Sequence, residues 1–296
     1  MARPTNYYVL FVPDYQVNSN EKDLPMVSFA IPTYNCDKNL EQCLKSIEIQ
    51  EYPCFEIVIV DGYSNDRTIE IAEKYADRIV FCKGTLGECR QLSIKCSSGE
   101  IIALFDSDII VPHEKWLIKA VKKFQYDKRI STVWPINISP PISGKLSKVY
   151  VSHSWSTMLE MAKKGRGIWG GGNSLFKAKL VKEAGGIDPQ FHEFEDFYLA
   201  RKLKDRGYKV IFHEDPLYHV THATFEELIR KELSRAKHFK DYNMISLTEL
   251  SRADWIYAHL VNGIKNMIRG LFIEKDRSWA LLPLVLAVRA FAYLTQ

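Results

Sequence analysis

Two hydrophobic rhythms alternate along this chain. From Met26, "MVSFAIP" is a continuous apolar and β-branched run closed by Pro32 and Asn35, and "NLEQCLKSIEIQ" then places Leu40, Leu44 and Ile47 at helical spacing. The scheme repeats. "FEIVIVDGYSNDRT" is a second buried strand with a polar loop, and "TIEIAEKYA" is the helix after it. "DRIVFCKG" reads as a strand, "LGECRQLSIKCSSG" as a helix ended by Gly99, and "EIIALFDSD" as another strand. Strands that are apolar throughout, alternating with helices, predict an α/β fold with a mostly parallel sheet covered on both faces. In such sheets ligands bind beyond the carboxyl ends of the strands. Those ends carry Pro32-Thr33-Tyr34-Asn35, Asp61-Gly62-Tyr63-Ser64 and Asp106-Ser107-Asp108, so three polar loops are expected to meet at one edge.

The second half is less regular. "GGGNSLFKAKLVKEAGGID" suggests a glycine-rich loop, a strand and a short helix, and "FEDFYLARKLKDRGYKVIFHED" a helix followed by a strand. Residues 255–273 put Ile256, Leu260, Ile264, Met267, Ile268 and Leu271 on one helical face and His259, Asn262, Lys265, Asn266 and Arg269 on another. The last 18 residues carry a single charge, Arg289. They are marginal as a bilayer span, and a position at the membrane surface competes with packing on the domain or on another subunit. Residues 1–25, which show no period, are expected to form an extension before the core.

Composition narrows the class further. Forty basic residues balance 36 acidic ones for a net charge of +4, with no clustered basic footprint, so nucleic acid is not an expected partner. The six cysteines, at 36, 43, 54, 82, 89 and 96, lack metal-binding spacing and are expected as reduced, small core residues of a cytoplasmic protein. "GRGIWG" at 165–170 matches a dinucleotide-binding glycine pattern but follows a helical segment rather than a strand, which argues against that fold.

The chemistry is concentrated in "IIALFDSDIIVP". Five apolar residues precede Asp106 and Asp108, and side chains two apart on an extended strand point the same way. Ionised carboxylates are costly to bury without compensation, so a hard divalent cation, Mg²⁺ or Mn²⁺, and a diphosphate bound through it are the expected ligands. Asp61, after the run "IVIV", suits either a hydrogen bond from a nucleobase or a turn.

With these motifs in view, the chain resembles the inverting nucleotide-sugar glycosyltransferases of family 2, which have the GT-A fold. "VSFAIPTYNCDKNLEQCLKSIEIQ", "FEIVIVDGYSNDRT", "GECRQLSIKCSSGEIIALFDSDIIV", "GGGNSLFKAKLVKEAGGIDPQF" and "EFEDFYLARKLKDRGYKV" follow the family's order over about residues 26–215. The resemblance implies that Pro32, Tyr34, Asn35, Asp61, Arg90 and Asp106 bind the nucleotide. It implies that Asp106, Asp108 and His219 hold the metal, His222 being the alternative to His219. Ser107, Gly171, Gly172, Asn173 and Glu195 would shape the donor-sugar and acceptor pocket, and Asp196 of "FEDFY", supported by Glu195, would be the catalytic base. The loop "DGYSNDRT" and Tyr198 depart from the family's usual residues.

The expected architecture is therefore a Rossmann-like GT-A domain over 26–224, with a nucleotide-binding half at 26–112 and an acceptor-binding half at 113–224. A helical segment at 225–296 would sit peripherally on the cytoplasmic face of a membrane. The expected reaction moves a sugar from a nucleotide-sugar donor, a UDP-sugar before a GDP-sugar, to a glycan or lipid-linked acceptor. An inactive nucleotide-binding scaffold, a sugar nucleotidyltransferase and a homo-oligomer are the competing expectations.

Overall fold

The computed structural model describes residues 24–163, 171–191, 193–220, 224–239 and 251–295. The expected extension, apart from Leu24 and Pro25, the glycine-rich 165–170 and His222 all lie outside them.

Eight strands form one mixed sheet in the order β3-β2-β1-β4-β7-β6-β8-β5. The first half is a regular alternation of β1 (Val27–Thr33), α1 (Asp37–Glu48), β2 (Phe55–Asp61), α2 (Thr68–Ala72), β3 (Arg78–Phe81), α3 (Leu86–Cys96) and β4 (Ile101–Leu104). These four strands are all parallel. Every residue of β1 and β4 is buried because helices cover both faces. Val27, Phe29, Ile31, Ile101, Ala103 and Phe105 enter the core shared with α1, whereas Ala30, Ile102 and Leu104 enter the opposite core. α3 starts at a capping box in which Thr85 and Glu88 satisfy each other's backbone N–H.

Pro32 in a central strand needs an explanation, since it has no N–H for the ladder. The Ala30 carbonyl accepts from Phe105 on the β4 side, so Pro32, two residues on, faces that same side. Yet β4 pairs only with Val27–Ala30 and stops at Leu104. The ladder has already opened there. That opening is the crevice at the carboxyl edge, and Asp106-Ser107-Asp108 lies in it as a turn before β5 (Ile109–Ile110), correcting the expectation of an extended strand.

The chain continues through α4 (Trp116–Lys122), β6 (Ile130–Ile138), α5 (Lys145–Lys163), β7 (Leu175–Lys177), α6 (Ala178–Glu183), α7 (Glu195–Asp205) and β8 (Lys209–His219). β7 is antiparallel to both β4 and β6, and β8 runs parallel to β6 and antiparallel to β5. The β5–β8 pairing sets Ile109 opposite His219, bringing the end of β8 beside Asp108.

Among the described residues three further helices follow, α8 (Phe225–Lys237), α9 (Arg252–Ile268) and α10 (Leu282–Thr295), with a π turn and a 3₁₀ turn between the last two. α9 splits its apolar stripe, packing Ile256 and Met267 against the core and leaving other members outside. His259 and Asn262 are buried, whereas Tyr257, Leu260, Ile264 and Ile268 are exposed. Its inward polar face bonds α5: His259 meets His153 at 3.1 Å, and Asn266 reaches both His153 and Ser156. The cysteines also differ from expectation. All six are free thiols, but only Cys43 and Cys89 are buried and Cys54 is exposed.

Candidate active site

Asp106 and Asp108 do converge, although by a turn and not by strand alternation. Ligand atoms of Asp106, Asp108 and His219 lie within 4.8 Å of one another. His219 Nε2 is 3.3 Å from Asp108 Oδ1, a buried oxygen with no hydrogen-bond donor. Two carboxylates and one imidazole fit a divalent cation such as Mn²⁺, and the unsatisfied Asp108 oxygen is what such an ion would complete. Burial works against charging His219, but Asp108 and Asp106 outweigh it and raise its pKa.

Asp106 is held on three sides. Its backbone N–H donates to Asn173 Oδ1 at 2.7 Å, Asn173 Nδ2 donates to its Oδ2 at 3.1 Å, and Arg90 Nη2 donates to its Oδ1. Burial opposes its ionisation, yet Arg90 and His219 hold its pKa below the ordinary value. The buried Arg90 also pairs through Nε with Glu195 at 2.6 Å, tying the aspartate turn to the start of α7.

Asp196 is the second residue of α7. Its Oδ2 accepts from the Gly172 N–H at 2.5 Å, and its Oδ1 from the Phe197 N–H at 2.8 Å. Burial and Asp106 raise its pKa against Arg90, and burial pushes Glu195 up to about 7. Gly171 permits this geometry: a Cβ there would stand 2.6 Å from both the Cα and the N of Phe197. Gly172 and Asn173 follow in the left-handed region at φ +68° and +62°.

These groups open into one cavity of about 640 Å³ that Pro32, Tyr34, Arg90, Ser107, Gly172, Asn173, Glu195 and Asp196 line together with the three metal-ligand candidates. Asn35 and Asp61 are not in its lining. Both Asp61 oxygens are taken, Oδ1 by the Thr33 and Ser64 hydroxyls and Oδ2 by the Ser64 N–H, while Asn35 braces the same loop through Ser64 and Asn65.

Trp155, Lys231, Glu232, Arg235, His259 and Arg289 also line the cavity, and sequence reasoning missed them. Lys231 and Arg235 look like an ordinary solvated helix face. The signal that was available is Arg289, a lone charge in an apolar helix, which inside a protein needs a buried partner.

The Glycosyl transferase family 2 model matches residues 28–183. Glycosyltransferase AglE of Haloferax volcanii is 27% identical over 223 residues, 72% of this chain and 73% of that protein. Escherichia coli WfaP, named as a UDP-Glc:alpha-D-GlcNAc-diphosphoundecaprenol beta-1,3-glucosyltransferase, is 36% identical over 91 residues, 29% of this chain and 36% of the relative. Among solved structures, the mannosyltransferase PcManGT from Pyrobaculum calidifontis, in complex with GDP-Man and Mn²⁺, superposes with a TM-score of 0.62 at 18% identity. That match covers 95% of this chain and 90% of the other. The architecture is the GT-A fold.

Proposed function

The chain belongs to glycosyl transferase family 2, and on that premise we propose that it moves a sugar from a nucleotide-sugar donor to an acceptor hydroxyl in one inverting displacement. The observation that carries the reading is one cavity lined by Asp106, Asp108 and His219 together with Asp196. In this assignment Asp106, Asp108 and His219 hold Mn²⁺ or Mg²⁺. When bound, the cation offsets the negative charge that develops on the departing diphosphate.

The protein's own groups do the rest. Arg90 fixes Asp106 and Glu195 together and keeps the ligand set aligned with the start of α7. Asp196, oriented by the two backbone N–H groups, takes the proton of the acceptor hydroxyl as that oxygen attacks the anomeric carbon on the face away from the diphosphate. Its raised pKa makes it a stronger base than a solvent-exposed carboxylate. One displacement inverts the stereocentre.

A UDP-sugar is the favoured donor, supported by the donor in the WfaP name, and a GDP-sugar is the competing one. The same name supports a lipid-linked acceptor. A membrane-surface location is supported by the outward apolar residues of α9, extended by Phe272 and Ile273 and flanked by exposed Lys265, Lys275 and Arg277. The division into 26–112, 113–224 and a helical 225–296 belongs to this reading.

Calorimetric titration of UDP and of GDP, with and without Mn²⁺, tests it. Wild type binds one of them in a metal-dependent way, and Asp108→Ala weakens that binding at least tenfold. Equal binding without metal or in the variant overturns the metal assignment, and binding of neither nucleotide overturns the donor assignment.

A further inference from the structure

The cavity continues past Asp196 to a wall built by α5, α8, α9 and α10, and the charges on that wall do not balance. Arg289 grips both oxygens of Glu232, with Nε 2.8 Å from Oε2 and Nη2 2.9 Å from Oε1. That pair is complete. Arg235, on the next turn of α8, is left without a close carboxylate among the described residues. Its nearest Glu232 oxygen is 3.9 Å away, its Nη1 donates to the Tyr150 hydroxyl at 2.6 Å, and its Nε is buried with no hydrogen-bond partner. Lys231, one turn back along α8, stands 3.7 Å from Glu193. His259 adds no further positive charge, since burial and Arg289 disfavour its protonated form.

The Arg235 side chain is 28% exposed, but a guanidinium with a buried, unsatisfied N–H is well matched to an oxyanion, which it can engage with two parallel N–H groups. Both cations line the same cavity as the aspartate cluster. We infer that Arg235, with Lys231 beside it, is a second anion site, and that the acceptor carries a phosphate group that seats there. The inference rests on the donor reading above: with the donor diphosphate at Asp106 and Asp108, an anion site on the α8 wall belongs to the other substrate. Trp155, Trp255 and Phe197 on the intervening walls are suited to the apolar faces of the sugar to be extended.

The test uses the full chain saturated with Mn²⁺ and whichever of UDP or GDP it binds. Octyl phosphate, glucose 1-phosphate and octyl glucoside are titrated in calorimetrically. A phosphate probe binds at least tenfold more tightly than octyl glucoside; octyl phosphate ahead identifies a lipid phosphate, glucose 1-phosphate ahead a soluble sugar phosphate. Arg235→Gln weakens the phosphate probe at least tenfold and Lys231→Gln several-fold, while Arg230→Gln, on the exposed side of α8, changes nothing. Should Arg235→Gln fail to fold, Arg235→Lys, which keeps the charge and loses the fork, is expected to be intermediate. Equal phosphate binding in wild type and these variants, no phosphate binding at all, or phosphate binding only in competition with the nucleotide overturns the inference. If neither nucleotide binds, the donor reading falls, and the phosphate titration on metal-loaded protein still decides the anion site.

Discussion

At the scale of single residues, Asp196 shows how its surroundings change a carboxylate. A free aspartate is a weak base, but burial and the neighbouring Asp106 disfavour its charged form more than Arg90 and two backbone donors favour it, so its pKa rises. The consequence has a sign. In the proposed role Asp196 must be ionised, so kcat/KM is expected to fall as pH drops through its raised pKa. Glu195, pushed up to about 7 by burial, faces the same Arg90 and the Asp196 charge, so the acid limb belongs to the pair. Asp196→Asn is expected to lower kcat about 10²–10⁴-fold, the range for losing a general base. It should also flatten that limb while nucleotide binding persists. A profile unchanged in Asp196→Asn removes it from the role.

At the scale of elements, α9 and α10 show why amphipathic spacing identifies a helix but not which side is inside. Leu260, Ile264 and Ile268 face out while His259, Asn262 and Asn266 turn inward, because α5 presents the hydrogen-bonding groups of His153 and Ser156 there. On α10, Arg289 satisfies itself with Glu232, Ser154 and the His259 ring. Breaking a buried ion pair leaves a bare charge, so Arg289→Met should cost about 3–5 kcal/mol in urea denaturation. Arg289→Met combined with Glu232→Leu should recover part of that loss, because the orphaned carboxylate is gone. A single variant as stable as wild type shows that the pair is not holding the C-terminal helices.

At the scale of the whole molecule, the exposed residues of α9 continue into Phe272 and Ile273, which are 75% and 74% exposed. The stretch Arg277–Thr295 is 19 residues long and apolar enough to cross a membrane, yet Arg289 anchors it against the protein. A surface contact follows more naturally than a span. Burying an isoleucine stabilises by about 1.5–3 kcal/mol, so replacing Ile264 and Ile268 with Glu should reduce sedimentation with anionic phospholipid vesicles at least tenfold. If vesicle binding is untouched and the variant instead changes the oligomeric state, the face is an interface between copies of this chain.

The sequence by itself determined what depends on neighbours along the chain. Continuous apolar strands alternating with periodic helices specified the α/β sheet, and the end of one such strand marked Asp106 and Asp108, because local pattern encodes which side chains leave the sheet at its carboxyl edge; Asp196, on the first turn of α7, was marked only by resemblance to the family. Spacing left Asp61 open between a nucleobase contact and a turn, and it could not show that Thr33 and Ser64 bond both its oxygens. Only the tertiary structure decided that His219 stands beside Asp108 and that α9 turns His259 and Asn262 inward. It alone set Arg235 on the same cavity as Asp106. Each of these is a contact across more than a hundred residues of chain or a choice between two faces of one element, and the free energy that settles it resides in the partner surface.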